Sequence, residues 1–165
     1  MMLTKETIYS KDASGKKLKV ERVFDAPVEQ VWKAWTQSDL LDQWWAPKPW
    51  KANTKSMDFR EGGKWLYYME GPDGSRHHCI LNYKTIVPNK SFRGVDGFTD
   101  ENGVLNTEMP SMDWTCVFNA VGDTTRIEME IIFASEADLE RIVEMGFKEG
   151  FAAAHTNLDE LLAKQ

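Results

Sequence analysis

A chain of 165 residues, 42% hydrophobic and 28% charged, is long enough to bury a core of its own without disulfide or metal staples. Its net charge of −6, with no basic patch, argues against nucleic acid and anionic membrane surfaces as partners, because both are polyanions. Cys79 and Cys116 sit in strand-like runs without CxxC spacing, so no zinc site or disulfide framework is indicated. They fit buried thiols in a reducing cytoplasm, with a single cross-strand bridge as the alternative. No apolar h-region opens the chain, and no apolar run approaches the roughly 18 residues of a membrane span.

The absence of repeats and Pro/Ser-rich linkers predicts one domain over 1–165, with 1–16 as a loose or peripheral lead-in. In "KLKVERVFDA", Leu18, Val20, Arg22 and Phe24 alternate with Lys19, Glu21 and Val23, which predicts a first strand. The period then changes. Val28, Val31, Trp32 and Trp35 recur at helical spacing behind Pro27, with Asp25 or Ala26 as cap. "SDLLDQWW" predicts a second short helix capped by Ser38 and ended by Pro47 and Pro49. Its pairs Leu40–Trp44 and Leu41–Trp45 cannot both face inward. One tryptophan is therefore expected in the core, and the other, with Trp50, beside any cavity.

From residue 52 the pattern is mostly β. "ANTKSMDF", "KWLYYME", "SRHHCILNYKTIV", "SFRGVDGF", "MDWTCVFNAV" and "TRIEMEIIFA" read as strands, and "REGG", "GPDG", "PNK" and "VGDTT" as turns. The stretch from Asp96 to Asp113 is long and polar, and Pro110 within it interrupts a strand. One long helix is expected from about Ala137 to Ala163, capped by Ser135, with Gly146 and Gly150 leaving a gap on its apolar side. A curved antiparallel sheet that buries one face against such a helix is the economical α+β arrangement.

If Trp65, Tyr67 and Met69 face inward, parity sends Cys79, Leu81 and Tyr83 inward on the next strand. Trp114, Cys116, Phe118, Met129 and Ile131 continue that lining. The residues leave open whether this face encloses a ligand cavity or a solid core. His155 extends the Phe147–Phe151 ladder toward the sheet, either as a ligand-orienting base or as a core histidine. His77 and His78 are adjacent on a strand and point to opposite faces, so no third ligand joins His155 and neither metal nor cofactor is expected. GxSxG, HExxH and P-loop patterns are absent.

"RVFDAPVEQVWKAWTQSDLLDQWWAPK", "EGGKWLYYMEGPDG" and "GF…HTNLDELLAK" closely resemble the heat-shock-protein-90 ATPase activator homologue family, within the START-like (SRPBCC) helix-grip superfamily. The resemblance runs from about Leu18 to Leu162, and departs from the family at Ala46 and Thr85 and in the long Asp96–Asp113 segment, expected to rim the cavity mouth. It implies a seven-stranded curved sheet around the C-terminal helix, two short helices after the first strand, and a cavity between sheet and helix. Members bind varied apolar molecules, eukaryotic ones include a co-chaperone domain, and a minority of the superfamily act as cyclases or hydrolases.

Three readings follow in order. The first is a binding protein for an apolar or aromatic small molecule, lined by Trp45, Trp50, Trp65, Tyr67, Met69, Tyr83, Trp114, Met129, Phe147, Phe151 and His155. The second is a co-chaperone-like interaction module with a chaperone as partner. The third is a cyclase or lyase with His155 or Tyr83 as acid/base. No nucleic acid or membrane partner is expected, and both monomer and homodimer remain open.

Overall fold

A computed structural model describes residues 6–164 of the chain. In chain order the strands are β1 (Ile8–Lys11), β2 (Lys17–Phe24), β3 (Lys51–Met57), β4 (Lys64–Glu70), β5 (Arg76–Val87), β6 (Ser91–Thr99), β7 (Met112–Val121) and β8 (Thr124–Ile132). Helices α1 (Val28–Thr36) and α2 (Ser38–Trp44) follow β2, and α3 (Glu136–Glu144) and α4 (Phe147–Ala163) follow β8. The strands form one antiparallel sheet in the order β1-β2-β8-β7-β6-β5-β4-β3. Bulges at Thr54/Ser56 on β3 and Tyr83/Thr85 on β5 interrupt the register and bend the sheet.

The sheet has eight strands, not the expected seven. The extra one is β1, from the segment read as a lead-in, whose first five residues lie outside the described ones. β1 pairs with β2 from Ile8↔Glu21 to Lys11↔Leu18, at the edge of the sheet. Its Tyr9 hydroxyl donates to the Lys148 carbonyl on α4 at 2.8 Å. Four residues of polar alternation carry little periodic signal, so a partner strand is needed to reveal them.

Strand parity follows the alternation. Ile127, Met129 and Ile131 of β8 are buried and pair across to Phe118, Cys116 and Trp114 of β7. On the other side of β8 they meet Arg22, Val20 and Leu18 of β2. Arg22 thus lies on the inner face at 3% exposure, where its guanidinium pairs with Asp159 of α4 and sits 4.8 Å over the Phe24 ring.

The helix ends differ from expectation. Pro27 and Gln37, not Asp25, Ala26 or Ser38, occupy the N-cap positions of α1 and α2, and neither makes a side-chain cap bond. The Trp44 indole instead fastens α2 to α1, donating to the Ala34 carbonyl at 2.9 Å. Ser135 caps α3 as expected, accepting from the Asp138 amide at 3.1 Å. The single long C-terminal helix is two helices. Gly146 adopts φ +94°, a left-handed conformation that ends α3 and starts α4.

The two glycines therefore have opposite roles. A Cβ on helical Gly150 meets only the Pro47 Cγ at 3.6 Å, an ordinary contact. Gly150→Ala should raise stability by about 0.5–1 kcal/mol, whereas Gly146→Ala should lower it by about 1–2 kcal/mol. Urea midpoints at unchanged m-value measure both.

Candidate functional site

The inner face is covered by aromatic side chains that meet mostly edge to face or tilted. Phe151 of α4 touches five rings: Trp35 (6.4 Å between centroids), Trp45 (5.9 Å), Trp114 (5.5 Å), Phe147 (5.3 Å) and His155 (4.1 Å). Asn157 ties α4 to the end of α2. Its amide donates to the carbonyls of Ala46 (2.9 Å) and Trp44 (3.4 Å), which the helix end leaves without intrahelical partners. α2 and the loop after it are thereby held over the sheet.

The packing is incomplete toward β4–β7. A cavity of about 270 Å³ lies between these strands, the α2–β3 loop and the α3–α4 junction. The sheet supplies Tyr67, Met69, His77, Cys79, Asp96, Gly97, Phe98, Met112 and Trp114. The loop supplies Trp45, Pro47 and Trp50, and the helices Ile142, Met145, Gly146, Phe147, Gly150 and Phe151. Met145, 53% exposed, stands at the rim. The lining is thus mostly apolar, and its helical side carries no charge. A second void of about 20 Å³, deeper in the core, shares Trp45, Tyr67, Asp96 and Trp114 with it.

A polar cluster interrupts this wall. The Trp114 indole donates to Asp96 Oδ2 at 2.7 Å, and the Met112 amide to Asp96 Oδ1 at 3.0 Å. The Trp45 indole donates to the Tyr67 hydroxyl at 3.0 Å. Burial pushes the Asp96 carboxyl up to about 7, against the lowering effect of its two donors. Burial, reinforced by Asp96, pushes the Cys79 thiol up to about 12 and holds the Tyr67 phenol well above its ordinary value. Among the described residues Asp96 has no ion-pair partner, and no group of three His, Cys, Asp or Glu side chains is placed to hold a metal ion.

Of the residues singled out from the sequence, Trp45, Trp50, Tyr67, Met69, Trp114, Phe147 and Phe151 meet at the cavity. Trp65 lines only the smaller void. Tyr83 packs against Phe59 and Phe92, and Met129 is buried opposite Cys116, so both lie away from the cavity. His155 is 0% exposed between Phe24 and Phe151, with Nδ1 2.7 Å from the Thr7 hydroxyl. Neither His155 nor Tyr83, the alternatives considered as acid/base of a cyclase or lyase, lines the cavity.

Asp96 was hidden by its setting. "SFRGVDGF" reads as a strand and β6 runs to Thr99, but Asp96 also opens the long polar stretch expected to rim the cavity mouth, whose loop between β6 and β7 contributes no cavity residue. The available signal was period two: Phe92, Gly94, Asp96 and Phe98 share one parity, and Gly94 faces Trp114 across the register. The short helix resolves the tryptophan pair. Leu41 and Trp44, three apart, are buried, while Trp45 is half-buried at the cavity.

An antiparallel sheet wrapped on a C-terminal helix, with a cavity between them, defines the helix-grip class of the START-like superfamily. The family model described as Activator of Hsp90 ATPase homolog 1-like protein matches residues 25–163, and the chain belongs to this family. It is similar to a crystal structure from Mycobacterium smegmatis (29% identity, 95% of this chain and 96% of that one, TM-score 0.88). A solution structure from Arthrobacter aurescens is 31% identical over 96% of this chain and 92% of that one, with TM-score 0.89. A crystal structure from Nitrosomonas europaea is 25% identical over 93% and 97%, with TM-score 0.78. Comparison with curated proteins returns no match. No helix among the described residues is long and apolar enough to cross a membrane.

Half-buried Asp96 and buried His155 give opposite pH dependences. Between 3.8 and about 7, Asp96 keeps a proton that an unfolded aspartate has lost, so its contribution to stability falls as pH rises. Burial, assisted by Arg22, lowers His155 from 6.5 to about 3, so between these values the unfolded chain binds the extra proton. The His155 contribution to stability therefore rises with pH. The two slopes oppose each other between 3.8 and 6.5. Asp96→Asn should remove the falling one and leave stability rising more steeply with pH across that window. Urea unfolding at a series of pH values measures the slope.

Proposed function

We propose that the protein binds an apolar or aromatic small molecule in the cavity between the sheet and the α3–α4 junction. The observation that carries this is the 270 Å³ space itself, walled by aromatic rings and methionines, with a few convergent polar groups on one side. An engineered apolar cavity of about 150 Å³ holds a benzene ring, so this one suits roughly a two-ring molecule. Burial of the ligand's apolar surface supplies most of the affinity, at about 25 cal/mol per Å² before the costs of association are subtracted. Tyr67 and Asp96 orient it. Met69, Met112 and Met145 let the wall adapt, since methionine is unbranched and polarizable.

The family's description suggests docking on a chaperone as a rival. That function calls for a contiguous exposed apolar face. The exposed apolar residues are instead spread over several elements: Ile8 on β1, Val87 on β5, Val104 and Leu105 between β6 and β7, Val117 opposite Glu128, and Ile132 opposite Lys17. The cavity reading is therefore preferred.

Tryptophans 45, 50 and 114 line the cavity, so a bound aromatic should change the intrinsic fluorescence. Titration with two-ring aromatics should give saturable changes with Kd in the micromolar range, about −8 kcal/mol. Gly150→Leu projects a side chain from the cavity wall and should weaken binding at least about tenfold while leaving the fold intact. No saturable change with any compound, or binding that is unaltered in the filled variant, would exclude the site.

A further inference from the structure

We propose that the ligand is an aromatic amine, bound as its ammonium ion, with its N–H groups on Asp96 and its ring among Trp45, Trp114 and Phe151. This rests on the cavity reading above and names the chemical class of its ligand.

Three observations converge on it. First, Asp96 is an inward-facing carboxyl on a wall that is otherwise mostly apolar. Each of its oxygens takes one donor, from Met112 and Trp114, and keeps a further acceptor direction. Those two bonds fix the carboxyl in place without neutralising it. Second, among the described residues no lysine, arginine or histidine pairs with Asp96. The other titratable side chains lining the cavity are Tyr67, Cys79 and His77, with Cys116 beside Asp96 at the smaller void, and none of these supplies a buried cation. The first two are held in their neutral forms by burial, and His77 packs edge-on against Trp50 at 5.1 Å. The α3–α4 wall and the α2–β3 loop bring no charged residue to the lining. A carboxyl largely screened from water with no cationic partner either keeps its proton or is matched by a cation from outside. Third, the rings around it are suited to a cation. Trp114 lies 6.4 Å from Trp45 and 5.5 Å from Phe151, centroid to centroid, and Trp45 lies 6.5 Å from Tyr67. Aromatic faces attract ammonium groups. The overall charge of −6 also draws cations to the molecule in preference to anions.

Binding then exchanges a proton for the ligand. The carboxylic acid of Asp96 releases its proton to solvent as the ammonium forms charge-assisted bonds with the carboxylate. The affinity for an amine therefore increases as pH rises through the Asp96 transition near 7, while that for a neutral analogue does not.

The test compares naphthylethylamine, naphthylethanol and naphthylacetate by tryptophan fluorescence and calorimetry. The amine should bind at least about tenfold more tightly than the alcohol near pH 8, and the acetate most weakly. The amine preference should shrink toward about pH 6, where calorimetry in buffers of different ionisation heat should detect proton release on binding. In Asp96→Asn, amine and alcohol should differ by less than about threefold. If the alcohol binds wild type as tightly as the amine, or the acetate more tightly, the ligand class is wrong while the cavity stands as a site. If none of the three binds, both readings fall.

Discussion

One buried seam organises the molecule: the contact of α4 with the concave, aromatic face of the sheet. Phe151, His155 and Leu158 lie at helical spacing on one side of α4 and are all buried. A sheet that carries Trp65, Tyr67, Trp114 and Phe118 on one face cannot leave that face in water. α4 and the α1–α2 pair cover it together. Phe151 is the point where the two coverings meet, since its ring touches tryptophans from α1, from the end of α2 and from β7. Large rings in tilted and T-shaped contacts give directional packing as well as buried area, which sets the helix angle over the sheet.

The cavity is a consequence of where that covering stops. Over β2, β8 and α1, leucine, valine and isoleucine fill the space beneath α4, and His155 is enclosed among rings. Toward β4–β7 the helix presents Gly150 and then breaks at Gly146, so two positions facing the cavity carry no side chain. The loop carrying Trp45 and Trp50 closes over this gap, and Asn157 holds the end of α2 in place by bonding its free carbonyls. The same side of the sheet holds Asp96, whose two donors orient a carboxyl that the apolar surroundings would otherwise expel. Apolar walls supply affinity in such a space, and a single oriented polar group supplies selectivity.

Much of this was legible in the residues. The alternation of Ile127, Met129, Ile131 against Arg126, Glu128, Glu130 needs no tertiary information to be read as a half-buried strand. The inward parity of Trp65 and Tyr67, of Leu81 and Tyr83, and of Trp114, Cys116 and Phe118 follows from period two and from each strand's balance of polar and apolar faces. What could not be read was which inward residues border a void. Tyr83 and Met129 have the same periodic signature as Tyr67 and Met69 yet lie in solid core. Parity reports the side of a sheet, and it carries no information about the depth of packing above it.

The residues by themselves determined the order of elements from β2 to β8, the covered face, the Ser135 cap and the division of labour between Trp44 and Trp45, because each depends on neighbours within a turn or a strand. Tertiary structure decided the rest. β1 became a strand only by pairing with β2, and Gly146 became a helix break only where the chain turns from α3 onto the sheet. His155 became a neutral core residue because α4 packs it against Phe24 and close to Arg22. Asp96 became the polar centre of the cavity because the pairing of β6 with β7 brings its carboxyl under Trp114. These outcomes depend on contacts between residues distant in the chain, whose energies no local pattern of hydrophobicity encodes.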